Sequence, residues 1–406
     1  MTAKLLGRLT AVLPASAAEG ELSSRGRFDP PRRAALLQAV AELQIPEDTA
    51  AVQTAEDVAA AARQALRALA QAGLLAVCVS APTDEAGAAD AAFCLRALCL
   101  CRAALAYRSP LYDLMFVMQG LGSHAVALAG SEAQRRSYLP AVAAGDAIAA
   151  LALTEPEAGS DLSAIRTRAR RDASGDYVID GEKTFISNAG LATHYVLYAR
   201  TDDHPKKGLT AFLLPANTPG VRTEPLALLC DDHPIGRVLL DGVRLPEAAR
   251  IGAEGQGLSL ALGTLEVFRP SVGAAAVGMA RRALDESVQR VQARVQFGQP
   301  LAAFQATQLA LAEMATDCEA AALLVMHAAA RIDAGAPGLP ASAMAKLFAT
   351  EAAQRIVDRA LQLHGGSGLV RGSVIERLYR DVRALRIYEG TSEIQKLVIA
   401  RALLTA

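Results

Sequence analysis

The sequence predicts an α+β protein, mostly α, with an N-terminal helical domain, a small β-barrel-like middle domain and a C-terminal four-helix bundle. Three observations predict it. The chain is 52% hydrophobic but only 4% aromatic, with no Trp, so its apolar mass is mainly Ala, Leu and Val, which favours closely packed helices. After Gly145 the texture changes from helical periodicity to short β-prone runs, and beyond the loop Gly252-Ala-Glu-Gly-Gln-Gly257 helical periodicity returns. At 406 residues the chain has length for two or three domains of roughly 150 residues, with room for a buried cofactor.

The elements follow in order, with domains expected at residues 1–148, 149–252 and 253–406. From about Pro31 to Ile148 apolar residues recur at helical spacing, as in Leu66, Leu69, Ala70, Gly73 and Leu74. Tyr177 to Ile179, Phe185 to Ser187, Tyr195 to Ala199, Leu209 to Leu214 and Val238 to Leu240 read as strands. Asp180-Gly181, Pro219-Gly220 and Asp241-Gly242 read as the turns between them, and Asp202 to Lys207 as a polar loop. In the last third, breaks at Gly298 and Pro300 and at Gly335 to Pro340 divide the pattern into three long helices and a shorter final one. No internal repeat is seen.

Composition also limits function. Lys and Arg total 41 against 42 Asp and Glu, a formal net charge of −1, so no overall field draws the protein to nucleic acid or an anionic membrane, and a small-molecule partner is expected. Charges such as Arg96 and Arg102 interrupt the apolar stretch from Ala91 to Tyr107, and no membrane span is expected. The six cysteines form no CxxC pair and read as reduced core residues, neither a disulfide framework nor a zinc site. The N-terminus has a short apolar run and an AxA-like stretch, but Glu19 and Glu21 follow at once, so a cytoplasmic protein is expected over a secreted one.

Two segments of the middle region offer chemistry. In Leu153-Thr-Glu-Pro-Glu-Ala-Gly-Ser-Asp161, hydroxyls, a proline, a glycine and carboxylates alternate. Such a loop directs Thr154 and backbone amides at an electron-rich ring edge, with Gly159 and Ser160 allowing close approach of a second ligand; the plainer alternative is a solvated turn with an Asx-type cap. Lys183-Thr-Phe-Ile-Ser-Asn188 offers Phe185 and Ser187 on one face of a strand, or else a hairpin with one buried aromatic.

These segments, in this order, resemble the acyl-CoA dehydrogenase family, as do four further stretches. They are Arg294-Val-Gln-Phe-Gly-Gln-Pro-Leu301 with Phe304-Gln305, Gln362-Leu-His-Gly-Gly-Ser-Gly-Leu369, Arg377 with Asp381, and Ile387-Tyr-Glu-Gly-Thr-Ser-Glu-Ile394. The resemblance runs from about Ser131 to Leu404. It implies FAD-dependent α,β-dehydrogenation of an acyl-CoA, with Glu389 removing the α-proton, flavin N5 taking the β-hydride, and electrons passing to an electron-transfer flavoprotein. Thr154 would bond the flavin's pyrimidine side, Leu151 and Leu153 would line it, and Phe185, Ile186 and Ser187 would cover the face away from substrate. Arg294 and Phe297 of a neighbouring subunit, near Phe304 and Gln305, would hold the adenosine diphosphate half, with Gln362, Gly365 and Gly366 at the pyrophosphate and Thr391 and Glu393 also at the cofactor. A homotetramer built as a dimer of dimers is implied.

Ser160, Leu265, Glu266, Arg269, Tyr388 and Gly390 match positions lining the family's acyl-CoA channel, although Arg269 also reads as a helical partner of Glu266. Glu389 otherwise reads as a carboxylate at a helix start. The family's alternative base position falls on Phe268, which takes no proton. The sequence departs from the family pattern at Phe185 (commonly Trp), Ser187 (Thr), Gly372 (acidic) and Glu393 (Gln), which leaves the electron acceptor open. An oxidase using oxygen, and a non-catalytic protein binding acyl-CoA or acyl carrier protein on the same scaffold, are the alternatives.

Overall fold

The computed structural model describes residues 2–13, 28–46, 54–80, 93–230 and 232–405. The AxA-like stretch with Glu19 and Glu21 lies outside them. Helices α1 (Thr2–Thr10), α2 (Pro30–Glu42), α3 (Ala55–Gln71), α4 (Leu95–Arg108), α5 (Pro110–Leu121), α6 (His124–Ala129) and α7 (Glu132–Ala144) come first. Local sequence sets several of their ends. Asp29 accepts from the Arg32 amide with Pro30 at the first helical position, Thr54 with Asp57 and Ser131 with Gln134 form capping boxes, and Gly145 ends α7 in the left-handed region.

Strands β1 (Ala149–Ala152), β2 (Arg168–Arg171), β3 (Tyr177–Ser187), β4 (His194–Arg200), β5 (Leu209–Pro215), β6 (Val221–Pro225), β7 (Ile235–Leu245) and β8 (Arg250–Ile251) follow. They form one sheet in the order β6-β7-β3-β2-β4-β5-β8, with β1 added in parallel along β4. Then come α8 (Gly257–Ala293), the small hairpin β9 (Val295–Gln296) and β10 (Gln299–Pro300), α9 (Gln305–Asp333), α10 (Ala341–His364), α11 (Val374–Ala384) and α12 (Ser392–Leu404). The helical, β, helical order expected from sequence is the order observed.

Two local expectations need correction. Asp180-Gly181 and Asp241-Gly242 are not turns: each lies inside a continuous strand, β3 and β7, where the pairing register shifts between Ile179 and Gly181. Between those pairs β7 carries one residue more than β3, so Asp241-Gly242 is a bulge set against Asp180, whose carboxylate accepts from the Gly242 amide at 2.8 Å, and β3 restores the register with its own extra residue between Lys183 and Ile186. Gly181 is required there, because a Cβ would meet Thr167 Oγ1 at 2.5 Å. The bundle, likewise, closes with two short helices, α11 and α12, where one was expected, because the chain reverses at Glu389-Gly390.

The described residues group into two compact units: Met1–Ala51 with Cys94–Asp113 and Glu266–Ala406, and Val52–Phe93 with Leu114–Leu265. In the second, Tyr177 and Phe212 meet edge to face with ring centroids 4.8 Å apart at the centre of the sheet's core. In the first, α4 is buried on every side, which explains its apolar circumference. Its N-terminal amides find an acceptor far away in sequence: Asp333, at the end of α9, receives the Leu95 amide at 2.7 Å, the Arg96 amide at 3.2 Å and the Arg96 guanidinium at 2.9 Å. Gly278 of α8 lets that helix touch the Ala103 carbonyl of α4, a gap that any side chain would close.

All six cysteines are buried, in line with their reading as core residues. Among the described residues, α8 is the helix long and apolar enough to cross a membrane by length and composition, and 67% of its apolar window is buried inside the protein.

Asp333→Ala removes the α4 cap and strands the Arg96 guanidinium in the core, so urea unfolding should show a loss of about 3 to 5 kcal/mol, with Asp333→Asn losing less.

Candidate functional site

The helical unit carries a carboxylate in an unusual setting. Glu389 and Gly390 take φ of 53° and 91°, reversing the chain between the end of α11 and α12, whose N-terminus Thr391 caps by accepting from the Ile394 amide at 3.3 Å. Glu389 is half-buried as a residue, but its Oε2 is sealed from solvent and has no hydrogen-bond partner. Burial pushes its carboxyl above the usual range, while Arg102, Lys346 and Arg269 pull it down. A proton acceptor kept dry and unpaired is what abstraction of a weakly acidic proton needs.

The surroundings come from four separate elements. Arg102 on α4 bonds Asp113 on α5 through two parallel contacts of 2.8 and 2.7 Å, and reaches Ser271 on α8 at 3.0 Å. Tyr388 is 36% exposed as a residue, and its hydroxyl lies beside Arg102, where burial pushes the phenol up. Arg269 on α8 is 7% exposed with Nε unpartnered. Burial pushes its pKa down, and Glu389 opposes this more than Glu266 does, so its helical neighbour is not its main partner. Glu266 lies instead against Gly338. Pro270 has no amide to give the Glu266 carbonyl one turn earlier, and the Ser342 hydroxyl donates to that carbonyl at 3.0 Å. Phe268 is fully buried, and Leu265 is half-buried on the same helix.

In the β unit the Leu153 to Asp161 loop is held from below. Glu155, which the sequence did not single out, is buried and pairs with the fully buried Lys183 at 2.7 Å. It also accepts the amides of Arg166 and Thr167 at 2.6 and 2.9 Å. Burial alone would raise its carboxyl; Lys183 and these amides outweigh that and hold it below the usual range, while burial pushes Lys183 down to about 8. The Thr184 amide donates to the Thr154 carbonyl at 2.9 Å. Pinned this way, the loop holds Leu151 and Thr154 half-buried and Leu153 buried, with Gly159 and Ser160 exposed and nothing within 4 Å of a Cβ at Gly159. The Asx-type cap exists too: Asp161 accepts from the Ser163 amide at 2.9 Å.

Phe185 takes φ of 55° where β3 loses register with β7, and the residue is 57% exposed, so the buried-aromatic alternative does not hold. Ser187 shares its face and bonds His233 Nε2 at 2.9 Å. Ile186 does not join them; the pleat turns its side chain into the sheet core, leaving only its backbone for a ligand. Elsewhere in the helical unit, Arg294 is exposed before the β9–β10 hairpin, and Phe297 stands 94% exposed at the hairpin tip with Phe304 edge-on at 6.3 Å. Gln305, Gln362, Gly365, Gly366 and Glu393 are exposed, and neither glycine has a neighbour within 4 Å of a Cβ position.

Thus the helical unit brings Glu389, Tyr388, Gly390 and Arg269 together and adds Arg102, Asp113 and Lys346, and the β unit gathers Thr154, Phe185 and Ser187. The sequence contained a signal for the added cations, since Arg102 and Lys346 are isolated charges within apolar helical stretches.

Comparison with known proteins places this geometry. Residues 33–146, 150–243 and 255–404 match the N-terminal, middle and C-terminal domains of acyl-CoA dehydrogenase, so the likeness reaches well ahead of Ser131, where the resemblance read from the sequence begins. The chain is 41% identical over 283 residues to a 3-(aryl)acrylate reductase of Clostridium sporogenes, covering 68% of this chain and 74% of that protein. It is 39% identical over 294 residues to an acyl-CoA dehydrogenase of Bacillus subtilis, covering 72% and 77%. A glutaryl-CoA dehydrogenase from Mycobacterium smegmatis, solved in complex with FADH2, superposes with a TM-score of 0.81 at 30% identity over 93% of this chain and 96% of that one. The chain belongs to the acyl-CoA dehydrogenase family and is a flavoprotein oxidoreductase, an acyl-CoA dehydrogenase.

Proposed function

We propose that the protein dehydrogenates an acyl-CoA thioester between its α and β carbons, with Glu389 as the base and FAD as the cofactor. The observation that carries this reading is the sealed, unpartnered Glu389 Oε2, a proton acceptor flanked by Arg102, Arg269 and Lys346 and raised by burial. The donor set suits a flavin: hydroxyls of Thr154 and Ser187, an exposed aromatic face at Phe185, and open glycines at 159, 365 and 366 that let backbone approach a ring or a pyrophosphate. Leu151, Leu153, Gly159, Ser160 and the Ile186 backbone would complete the ring site. Arg294, Phe297, Phe304, Gln305, Gln362, Gly365, Gly366, Thr391 and Glu393 would hold the dinucleotide half, some of them across a subunit boundary in a homotetramer. FAD would supply the hydride acceptor for the β-carbon.

The chain's own residues do the rest. Ser160, Leu265, Glu266 and Arg269 would line the acyl-CoA channel, with Tyr388 and Gly390 framing the reacting carbons. Glu389 takes the α-proton on Oε2, and the nearby cations stabilise the resulting charge separation. Electron transfer to an electron-transfer flavoprotein is the natural outlet within this family. The likeness to a 3-(aryl)acrylate reductase favours a second reading, in which the same site runs in reverse: the β carbon of an α,β-unsaturated acyl group would take a hydride from reduced FAD and protonated Glu389 would deliver the α-proton, leaving the saturated chain.

Glu389→Gln should fold, retain flavin and bind an enoyl-CoA, yet bleach its flavin at least ~100-fold more slowly with acyl-CoA in stopped flow. Wild-type bleaching should fall away on acidification at a pH above the ordinary carboxylate range. The folded state holds the Glu389 proton more tightly than the unfolded chain, so its stabilising effect is present at low pH and lost as pH rises through the folded value. Glu389→Gln should therefore melt higher than wild type at alkaline pH, and the difference should vanish below about pH 4. Arg294→Ala should lower FAD affinity roughly ten- to a hundredfold by fluorescence titration while leaving far-UV circular dichroism unchanged.

A further inference from the structure

One of the cations near the candidate base also holds its backbone. Lys346, in the Ala-rich middle of α10, is fully buried, and its Nζ donates to the Gly390 carbonyl at 2.8 Å. Gln395, also fully buried, donates its amide to the same carbonyl at 2.8 Å and to the Glu389 carbonyl at 3.3 Å. Two successive left-handed residues thus turn their carbonyls onto one buried ammonium and one buried amide. A non-glycine residue such as Glu389 keeps that backbone only where its surroundings enforce it.

Charge points the same way. The groups around Lys346 are Glu389, Arg269, Glu351 and Glu393. Glu351 is taken by Arg386 at 2.9 Å and Ser392 at 2.6 Å, and Glu393 is exposed on the first turn of α12. The groups around Glu389 are Arg102, Lys346, Arg269 and Asp113, with Tyr388 beside it in sequence, and Arg102 is already neutralised by Asp113. Burial pushes Lys346 down to about 8, and Glu389 is the chief opposing influence. A buried ammonium of this kind persists only when charge and hydrogen bonds compensate it.

We propose that Lys346 is a positioning residue for the base: it clamps the Gly390 carbonyl, holds the turn that aims Glu389 into its pocket, and supplies the charge that keeps the Glu389 carboxylate ionised. The proposal rests on Glu389 being the base. The test follows flavin bleaching by saturating acyl-CoA against pH in wild type, Lys346→Gln and Lys346→Met, with Glu389→Gln alongside. Lys346→Gln keeps a donor and loses the charge; Lys346→Met loses both. The acid limb should move up by about one pH unit in both, costing about tenfold in rate on the acid side. At higher pH the Gln variant should approach wild type while the Met variant stays slow, and both should bind enoyl-CoA normally. If Glu389→Gln is silent yet both Lys346 variants keep the wild-type acid limb, Lys346 only fills space and the proposal is overturned. If Glu389→Gln bleaches normally, the base assignment itself fails. Should neither Lys346 variant fold, nitrogen-15 titration of Lys346 decides: its pKa should drop by about one unit in Glu389→Gln relative to wild type, and an unchanged value overturns the proposal.

Discussion

The helical unit depends on one carboxylate placed at a distance. Asp333 ends α9 and sits over the first turn of α4, where it satisfies two backbone amides and the Arg96 guanidinium. A helix as apolar as α4 gains burial energy in many orientations, because no face is marked for solvent. The cap selects one, since a buried helix end with unmet amides is costly. With α4 fixed and Gly278 allowing α8 to close on it, Arg102 reaches both Asp113 and Ser271 and becomes part of the ground on which Glu389 stands.

Around the candidate base, the balance is between dehydration and compensation. Three cations face Glu389, yet burial still holds its carboxyl above the usual range. In the β unit, Glu155 is treated in the opposite way: one ammonium and two backbone amides outweigh its burial, and it serves as a brace. Two glutamates with dehydrated carboxylates thus take different parts, Glu155 satisfied and Glu389 left with an unpartnered Oε2. Hydrogen-bond saturation, more than depth alone, separates them.

Much of this was legible in the sequence, and what was not has physical reasons. Glu389, Tyr388 and Gly390 are contiguous, so local pattern exposed them. Arg102, Asp113 and Lys346 come from segments far from Glu389 in sequence, and only folding reveals that they meet. β1 (Ala-Ala-Leu-Ala) and β2 (Arg-Ala-Arg-Arg) lack β-branched residues and became strands through pairing with β4 and β3. Asp-Gly supplies the same backbone freedom to a hairpin turn and to a bulge, so the Asp241-Gly242 bulge and the Asp180-Gly181 step opposite it read as turns. The reversal between α11 and α12 rests on Glu389 and Gly390 together, and while Gly390 carries a turn signal, the left-handed backbone of a glutamate carries none.

The two bulges, one in β7 at Asp241-Gly242 and one in β3 between Lys183 and Ile186, have a consequence for how such a chain changes over time. The extra residue of β7 at Asp241-Gly242 offsets the register, the extra residue of β3 between Lys183 and Ile186 restores it, and the two offsets cancel only together. A single-residue insertion or deletion in β3 alone would swap inward and outward side chains along the rest of the strand, sending Ile186 to the surface and Phe185 into the core. The two strands are therefore bound to gain or lose residues in step, and a lineage that shortens one without the other would lose the exposed ring before it lost the sheet.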